Sequence, residues 1–214
     1  MTRANRLPYA HLWVAILAFG TAAAMALMQA LSRASLDLPY RSARMYYLSV
    51  TAHGVLMALV FTTFFIMAFG YVVIRDALRQ EVKGSAPPGP GTARPWAATG
   101  LAVGAILRGR ARVLSPSSPP LQAHPAFYIG LTLVIVGSWL WCAVMIANYL
   151  AWKRGHRGAA VPLAMHGMLA TVIVWLIATM GVAAEMLFLL IPWSLGVTDT
   201  VDPVLARMLF WYFG

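Results

Sequence analysis

His53 stands in the run 45–74, MYYLSVTAHGVLMALVFTTFFIMAFGYVVI, with no Asp, Glu, Lys or Arg among its neighbours. A neutral imidazole in such surroundings can lend a ring nitrogen to a metal, and Gly54 beside it leaves a large flat ligand room to approach the backbone. The plainer reading is a histidine that makes one hydrogen bond between helices. Residue types alone leave the two readings open. Glu185 raises a similar question within the run 161–191, because a carboxylate among apolar residues is costly without a partner or water. It is either a polar contact near a proton path or an acid that reaches the membrane surface. A second imidazole for a shared metal is suggested by His166-Gly167-Met168-Leu169, which echoes His53-Gly54-Val55-Leu56.

The elements that position these residues are membrane spans. Residues 45–74 exceed the roughly 20 that cross a hydrocarbon core of about 30 Å as a helix. Residues 11–31, 127–152 and 161–191 have the same apolar character. With 61% apolar residues and a mean hydropathy of +0.74, the chain is an integral membrane protein, since soluble domains hold about 45–50%. The expected fold is all-α, a polytopic transmembrane helix bundle of four clear helices: I (11–31), II (45–74), IV (127–152) and V (161–191). Helix I is too long for a signal-peptide core and lacks a cleavage site, so it is expected to stay in the mature protein.

Sixteen Lys and Arg against six Asp and Glu give a net charge of +10, which in a soluble domain suggests nucleic acid. Here the cations lie between the hydrophobic runs, so membrane lipid is the partner they imply and nucleic acid is not. Cys142, the single cysteine, sits in an apolar run and reads as a packing residue. Trp13, Trp96, Trp139, Trp141, Trp152, Trp193 and Trp211 lie mostly near expected helix ends and read as an interfacial belt. Asp199 and Asp202 read as turn residues beside Pro203, His124 and His156 as loop residues, and His11 as an interfacial residue at the start of helix I.

Residues 75–125 form an atypical segment rich in Gly, Pro and Arg, with GSAPPGPGTARP at 84–95 and SPSSPP at 115–120. Between them, 96–107 offers only a short apolar stretch, a degenerate third span. Charge parity favours a crossing there. With the N-terminus in the cytoplasm, that crossing places Arg3, Arg6, Arg75, Arg79, Lys83, Arg94, Lys153, Arg154 and Arg157 inside, nine of the sixteen cations. It also keeps the compact basic loop 153–157 on the cytoplasmic side. His166 then lies near the cytoplasmic end of helix V while His53 lies in the outer half. Their depths differ by about 10 Å, too much to clamp one iron between them.

The order Tyr46-Tyr47, Thr51, His53-Gly54-Val55-Leu56 and Val60-Phe61-Thr62-Thr63-Phe64-Phe65-Ile66 resembles the second helix of subunit I of haem-copper terminal oxidases, most closely the B family. Likeness resumes over 119–130 and continues through Glu185-Met186-Leu187-Phe188 and Trp193 to Trp211. The resemblance implies that His53 is an axial ligand of a low-spin haem, with Gly54 at the haem's approach. It implies a complete enzyme with a high-spin haem and copper, supplied with electrons by cytochrome c or a similar donor through oxidase subunit II. That enzyme reduces oxygen to water with proton translocation in a bacterial or archaeal cell membrane.

By the same resemblance, 1–214 is a single transmembrane domain, incomplete at its C-terminus: the N-terminal part of a fold of twelve or more helices, expected to be inactive alone. The copper ligands, the high-spin haem ligand and the second low-spin ligand are expected further on. Two alternatives remain. One is a small membrane b-type cytochrome with His53 and His166 on one haem, which requires dropping the third crossing. The other is a gene remnant without a cofactor.

Overall fold

A computed structural model of the chain describes residues 6–34, 43–82 and 122–213. The third span expected over 96–107, and most of the atypical segment 75–125 around it, lie outside the described residues. Helices are the regular elements of the rest: α1 (Arg6–Arg33); α2, built from Ala43–Val55, a π-helical stretch Leu56–Phe61 and Thr62–Leu78; α3 (Pro125–Gly155); α4, built from Leu163–Ala184, a second π-helical stretch Glu185–Leu190 and Ile191–Ser194; and α5 (Pro203–Trp211). The first four are long and apolar enough to cross a membrane. They correspond to helices I, II, IV and V, each running a few residues past at least one of its expected ends.

Local chemistry sets the boundaries. Pro125 opens α3 at a position whose missing N–H costs nothing, and the His124 ring accepts a hydrogen bond from the Ala126 amide at 3.2 Å. Lys153 and Arg154 fill its last turn, where cations complement the helix dipole. α5 starts the same way, with Asp202 accepting from the Val204 and Leu205 amides at 2.8 and 3.2 Å ahead of Pro203. α2 ends where Arg79 turns left-handed at φ 49°.

α1 and α2 form an antiparallel pair. Ala15, Ala18 and Ala22 are buried along one stripe of α1, and their small side chains let the two backbones approach. Gly70 of α2 does the same for α3, because a Cβ there would run into the Trp141 ring. Two tryptophan N–H groups tie α3 to α4: Trp139 donates to the Thr179 hydroxyl at 2.7 Å and Trp175 to the Ser138 hydroxyl at 2.8 Å. Such bonds are the interhelical glue of a medium that offers no water. α5 folds back on α4 at Gly181, where a Cβ would stand 2.7 Å from the Leu209 carbonyl oxygen.

The buried residues fall into two clusters at opposite ends of the bundle. One gathers Ala22, Ala52, Val55, Phe127, Leu131, Val182 and Met186. The other gathers Leu7, Tyr71, Ile74, Leu78, Trp141, Trp152, Met165 and Met168. α2 and α3 therefore run in the same direction, and Leu78 and Ala123 belong to opposite ends.

Candidate functional site

His53 sits half-buried on the face of α2 that meets α1, and its Nδ1 lies 2.9 Å from the Ala22 carbonyl oxygen. A carbonyl only accepts, so Nδ1 carries the hydrogen and Nε2 keeps its lone pair. Ala22 can serve because its side chain is a methyl group, which leaves its carbonyl within reach of a neighbouring helix. Nothing else among the described residues hydrogen-bonds to His53. The two readings of this histidine thus merge. One nitrogen makes the interhelical bond, and the same bond fixes the orientation of the ring and of its other nitrogen.

The surroundings suit a large flat group. Gly54 is exposed, and a Cβ built on it would meet nothing within 4 Å among the described residues. The π-helical stretch begins three residues after His53, and such wide turns gather at functional sites. Thr62 stabilises its end by donating to the Met57 carbonyl, five residues back, at 2.9 Å. Apolar residues, among them Ala52, Val55, Leu56 and Leu59, pack around this end of α2.

Glu185 opens the second π-helical stretch and is 0% exposed. The structure thereby corrects the alternative of an acid reaching the membrane surface. Neither carboxylate oxygen meets a donor among the described residues, although Tyr128 lies within electrostatic reach. Glu185 and His53 belong to the same end of the bundle, since their neighbours Val182, Ala183 and Met186 pack with Ala52 and Val55.

The remaining histidines lie elsewhere. His166 is exposed, and the adjoining Met165 and Met168 belong to the opposite cluster, so the geometry a His53–His166 pair requires is not formed. His11, expected at the interface, is instead 2% exposed, with Nδ1 2.8 Å from the Leu7 carbonyl and its ring 5.5 Å from Phe64 and 5.8 Å from Tyr71. His124 caps α3, and His156 stacks on Trp152 at 4.8 Å. Among the described residues no three His, Cys, Asp or Glu side chains gather as a metal site. Cys142 is fully buried, as its apolar setting implied.

The tryptophan belt needs a correction at two positions. Trp141 and Trp152 are 2% and 8% exposed and belong to the bundle interior. The Ala22 carbonyl was not found by sequence reasoning, because its contribution is backbone. The one available signal was the Ala15, Ala18, Ala22 spacing, which marks the face of α1 that α2 can approach.

Fold and site together define an α-helical, multi-pass membrane protein. The family described as cytochrome c and quinol oxidase polypeptide I matches residues 6–214, and the chain belongs to that family. It is 33% identical over 176 residues to cytochrome c oxidase subunit 1 of Thermus thermophilus, covering 79% of this chain and 30% of that protein. It is also similar to a chain of a haem-copper terminal oxidase dimer solved by cryo-EM, with a TM-score of 0.88 and 31% identity over 100% of this chain and 37% of that one. The chain thus spans about a third of the length of these relatives.

Proposed function

We propose that this chain holds a low-spin haem through Nε2 of His53 within a respiratory terminal oxidase of the cytochrome c oxidase type. The observation that carries the reading is the bond from His53 Nδ1 to the Ala22 carbonyl. It fixes the tautomer and aims the ring. Bound there, a low-spin haem supplies one-electron transfer. The chain's residues do the rest: Gly54 leaves the approach open, the apolar cluster around Ala52 and Val55 keeps water away, and the α1–α2 pair holds the imidazole in place.

In the whole enzyme the electrons come from cytochrome c or a similar donor by way of subunit II. A high-spin haem and copper of the whole subunit would supply the oxygen chemistry, coupled to proton translocation. Glu185 is a stopping place for protons on that route, a role supported by its complete burial at a π-helical turn. With five histidines in all, four of them engaged elsewhere or exposed, the 214 residues alone hold no copper centre and reduce no oxygen.

The N-terminus and the loop 153–157 face the cytoplasm of a bacterial or archaeal cell. In a Cys142→Ser background, Arg157→Cys resists a membrane-impermeant thiol reagent added from outside, whereas ready labelling reverses the orientation. The haem assignment is tested by the optical spectrum of the haem-loaded protein in its membrane. His53→Ala abolishes the low-spin signal and His166→Ala preserves it. A normal low-spin spectrum in His53→Ala returns His53 to a structural role.

A further inference from the structure

Between Glu81 and Glu185 the sequence holds no Asp or Glu. Within that acid-free run the connection from α3 to α4 carries Lys153, Arg154 and Arg157, and the first turn of α4 adds no acid. The connection is folded back on the end of α3 rather than splayed. The His156 ring stacks on Trp152 with centroids 4.8 Å apart, and its Nδ1 and its backbone amide both donate to the Trp152 carbonyl, at 2.9 and 3.0 Å. The Ala159 amide donates to the His156 carbonyl at 3.2 Å, and Lys153 Nζ donates to the Ala159 carbonyl at 3.2 Å. Gly158, at φ 86°, lets the chain reverse there. Trp152 is buried in the bundle, so the loop is anchored, while Arg154 and Arg157 are exposed.

The outer face of α3 leads straight to this loop. Leu140, Ala143, Ala147, Leu150 and Arg154 recur at intervals of three and four, so they form one stripe along the helix, and all five are exposed. The small side chains of Ala143 and Ala147 make a shallow recess between the two leucines. From Leu140 to Leu150 the stripe rises about 15 Å, half of a hydrocarbon core of about 30 Å. It is therefore one leaflet deep, apolar along its length and cationic where it meets the membrane surface. Leu163, 87% exposed, marks the level at which α4 re-enters the apolar layer. The other end of the bundle carries the opposite charge, since the turn between α4 and α5 holds Asp199 and Asp202 and no Lys or Arg.

We propose that the outer face of α3 and the 153–157 loop hold one anionic phospholipid, with its phosphate on Arg154 and Arg157 and an acyl chain along the stripe from Leu150 to Leu140. The proposal goes beyond the haem reading and does not depend on His53. A guanidinium offers parallel N–H donors that match phosphate oxygens, so two exposed arginines suit a phosphodiester. Lys153 gives one of its three N–H groups to Ala159 and keeps the rest of its charge for the headgroup. A zwitterionic lipid brings its own cation into a loop that has no acid to receive it, so the site selects headgroups of net negative charge. Because the loop is already folded by its own hydrogen bonds, binding costs it little conformational freedom, which favours one retained lipid over a diffuse cloud.

The test is native mass spectrometry of the detergent-purified protein titrated with phosphatidylglycerol and with phosphatidylcholine of the same acyl chains, alongside the thermal unfolding midpoint in each lipid. The wild-type protein retains one phosphatidylglycerol, and only that lipid raises the midpoint. Arg154→Gln combined with Arg157→Gln lowers the affinity for phosphatidylglycerol about 25-fold, because each cation contributes about fivefold, the equivalent of ~1 kcal/mol. Ala147→Phe fills the recess without changing the charge and weakens binding too. Arg207→Gln on α5, whose flanking residues Val201 and Phe213 pack at the opposite end of the bundle, leaves binding unchanged. Equal affinity for the two lipids, or wild-type affinity in the double arginine variant, overturns the proposal. Displacement of the lipid by an equal concentration of inorganic phosphate overturns it in favour of a plain anion site. Displacement by an equal concentration of a polyglutamate peptide overturns it in favour of a protein-docking surface.

Discussion

The two ends of the bundle each bury a histidine against α1 and α2, and they use it differently. At one end His11 bonds through Nδ1 to Leu7, four residues back in its own helix, and is enclosed by Phe64 and Tyr71. At the other, His53 bonds through Nδ1 to Ala22 on the neighbouring helix and stays half-buried beside an open glycine. A local bond fixes a ring within its own helix and leaves it as packing. An interhelical bond made at the edge of the seam holds the ring while leaving its second nitrogen toward whatever the seam faces. Burial alone would have ranked His11 first as the functional residue. The partner of Nδ1, and what lies beside the ring, reverse that order.

Exchanging the variants at the two ends gives the largest contrast. His11→Ala opens a hole between Phe64 and Tyr71 and costs about 2–4 kcal/mol of bundle stability, read from the thermal unfolding midpoint, while the haem spectrum of the folded protein is preserved. His53→Ala does the reverse, with the low-spin haem lost and the apoprotein's helix content unchanged, because alanine is a good helix former. If His11→Ala removed the haem without unfolding the protein, the distinction between the two ends would fail.

The glycines sharpen the same contrast with a smaller effect. Gly70→Ala forces a methyl group into the Trp141 ring and costs about 1–3 kcal/mol, measured by unfolding in detergent. Gly54→Ala meets nothing among the described residues and gains helix propensity, so the apoprotein is no less stable. Gly54→Leu then separates the two roles: haem affinity falls and apoprotein stability does not. Equal loss of stability at both glycines would remove the distinction between a packing glycine and an approach glycine.

Much of this architecture was legible in the sequence, for reasons that show where legibility ends. Spans over 11–31, 45–74, 127–152 and 161–191 were recognisable because a bilayer sets a length and an apolar content. α1, α2, α3 and α4 match them. Which face of each helix turns inward was not recognisable, because helices apolar all round carry no stripe that separates lipid from neighbour. For that reason His11 was expected at the interface, a surface-reaching acid stayed open as one of two readings of Glu185, and Trp141 was grouped with the interfacial belt.

The π-helical stretches Leu56–Phe61 and Glu185–Leu190 had no signature either. A wide turn is set by packing between helices, and the residues LMALVF and EMLFLL suit an α-helix equally well. At the site, His53 and Gly54 were visible as residue types, whereas the Ala22 carbonyl, being backbone, was not.

The most direct test of the central claim is chemical rescue at His53. His53→Gly removes the imidazole and its bond to Ala22 but leaves a space of the same shape, at a helix cost of about 1 kcal/mol. Free imidazole is then added to the haem-loaded variant while the optical spectrum is followed. The account predicts that the low-spin spectrum is absent in His53→Gly and returns with imidazole in a saturable way, while the His11→Gly spectrum does not respond. A low-spin spectrum already present in His53→Gly before imidazole is added would contradict it.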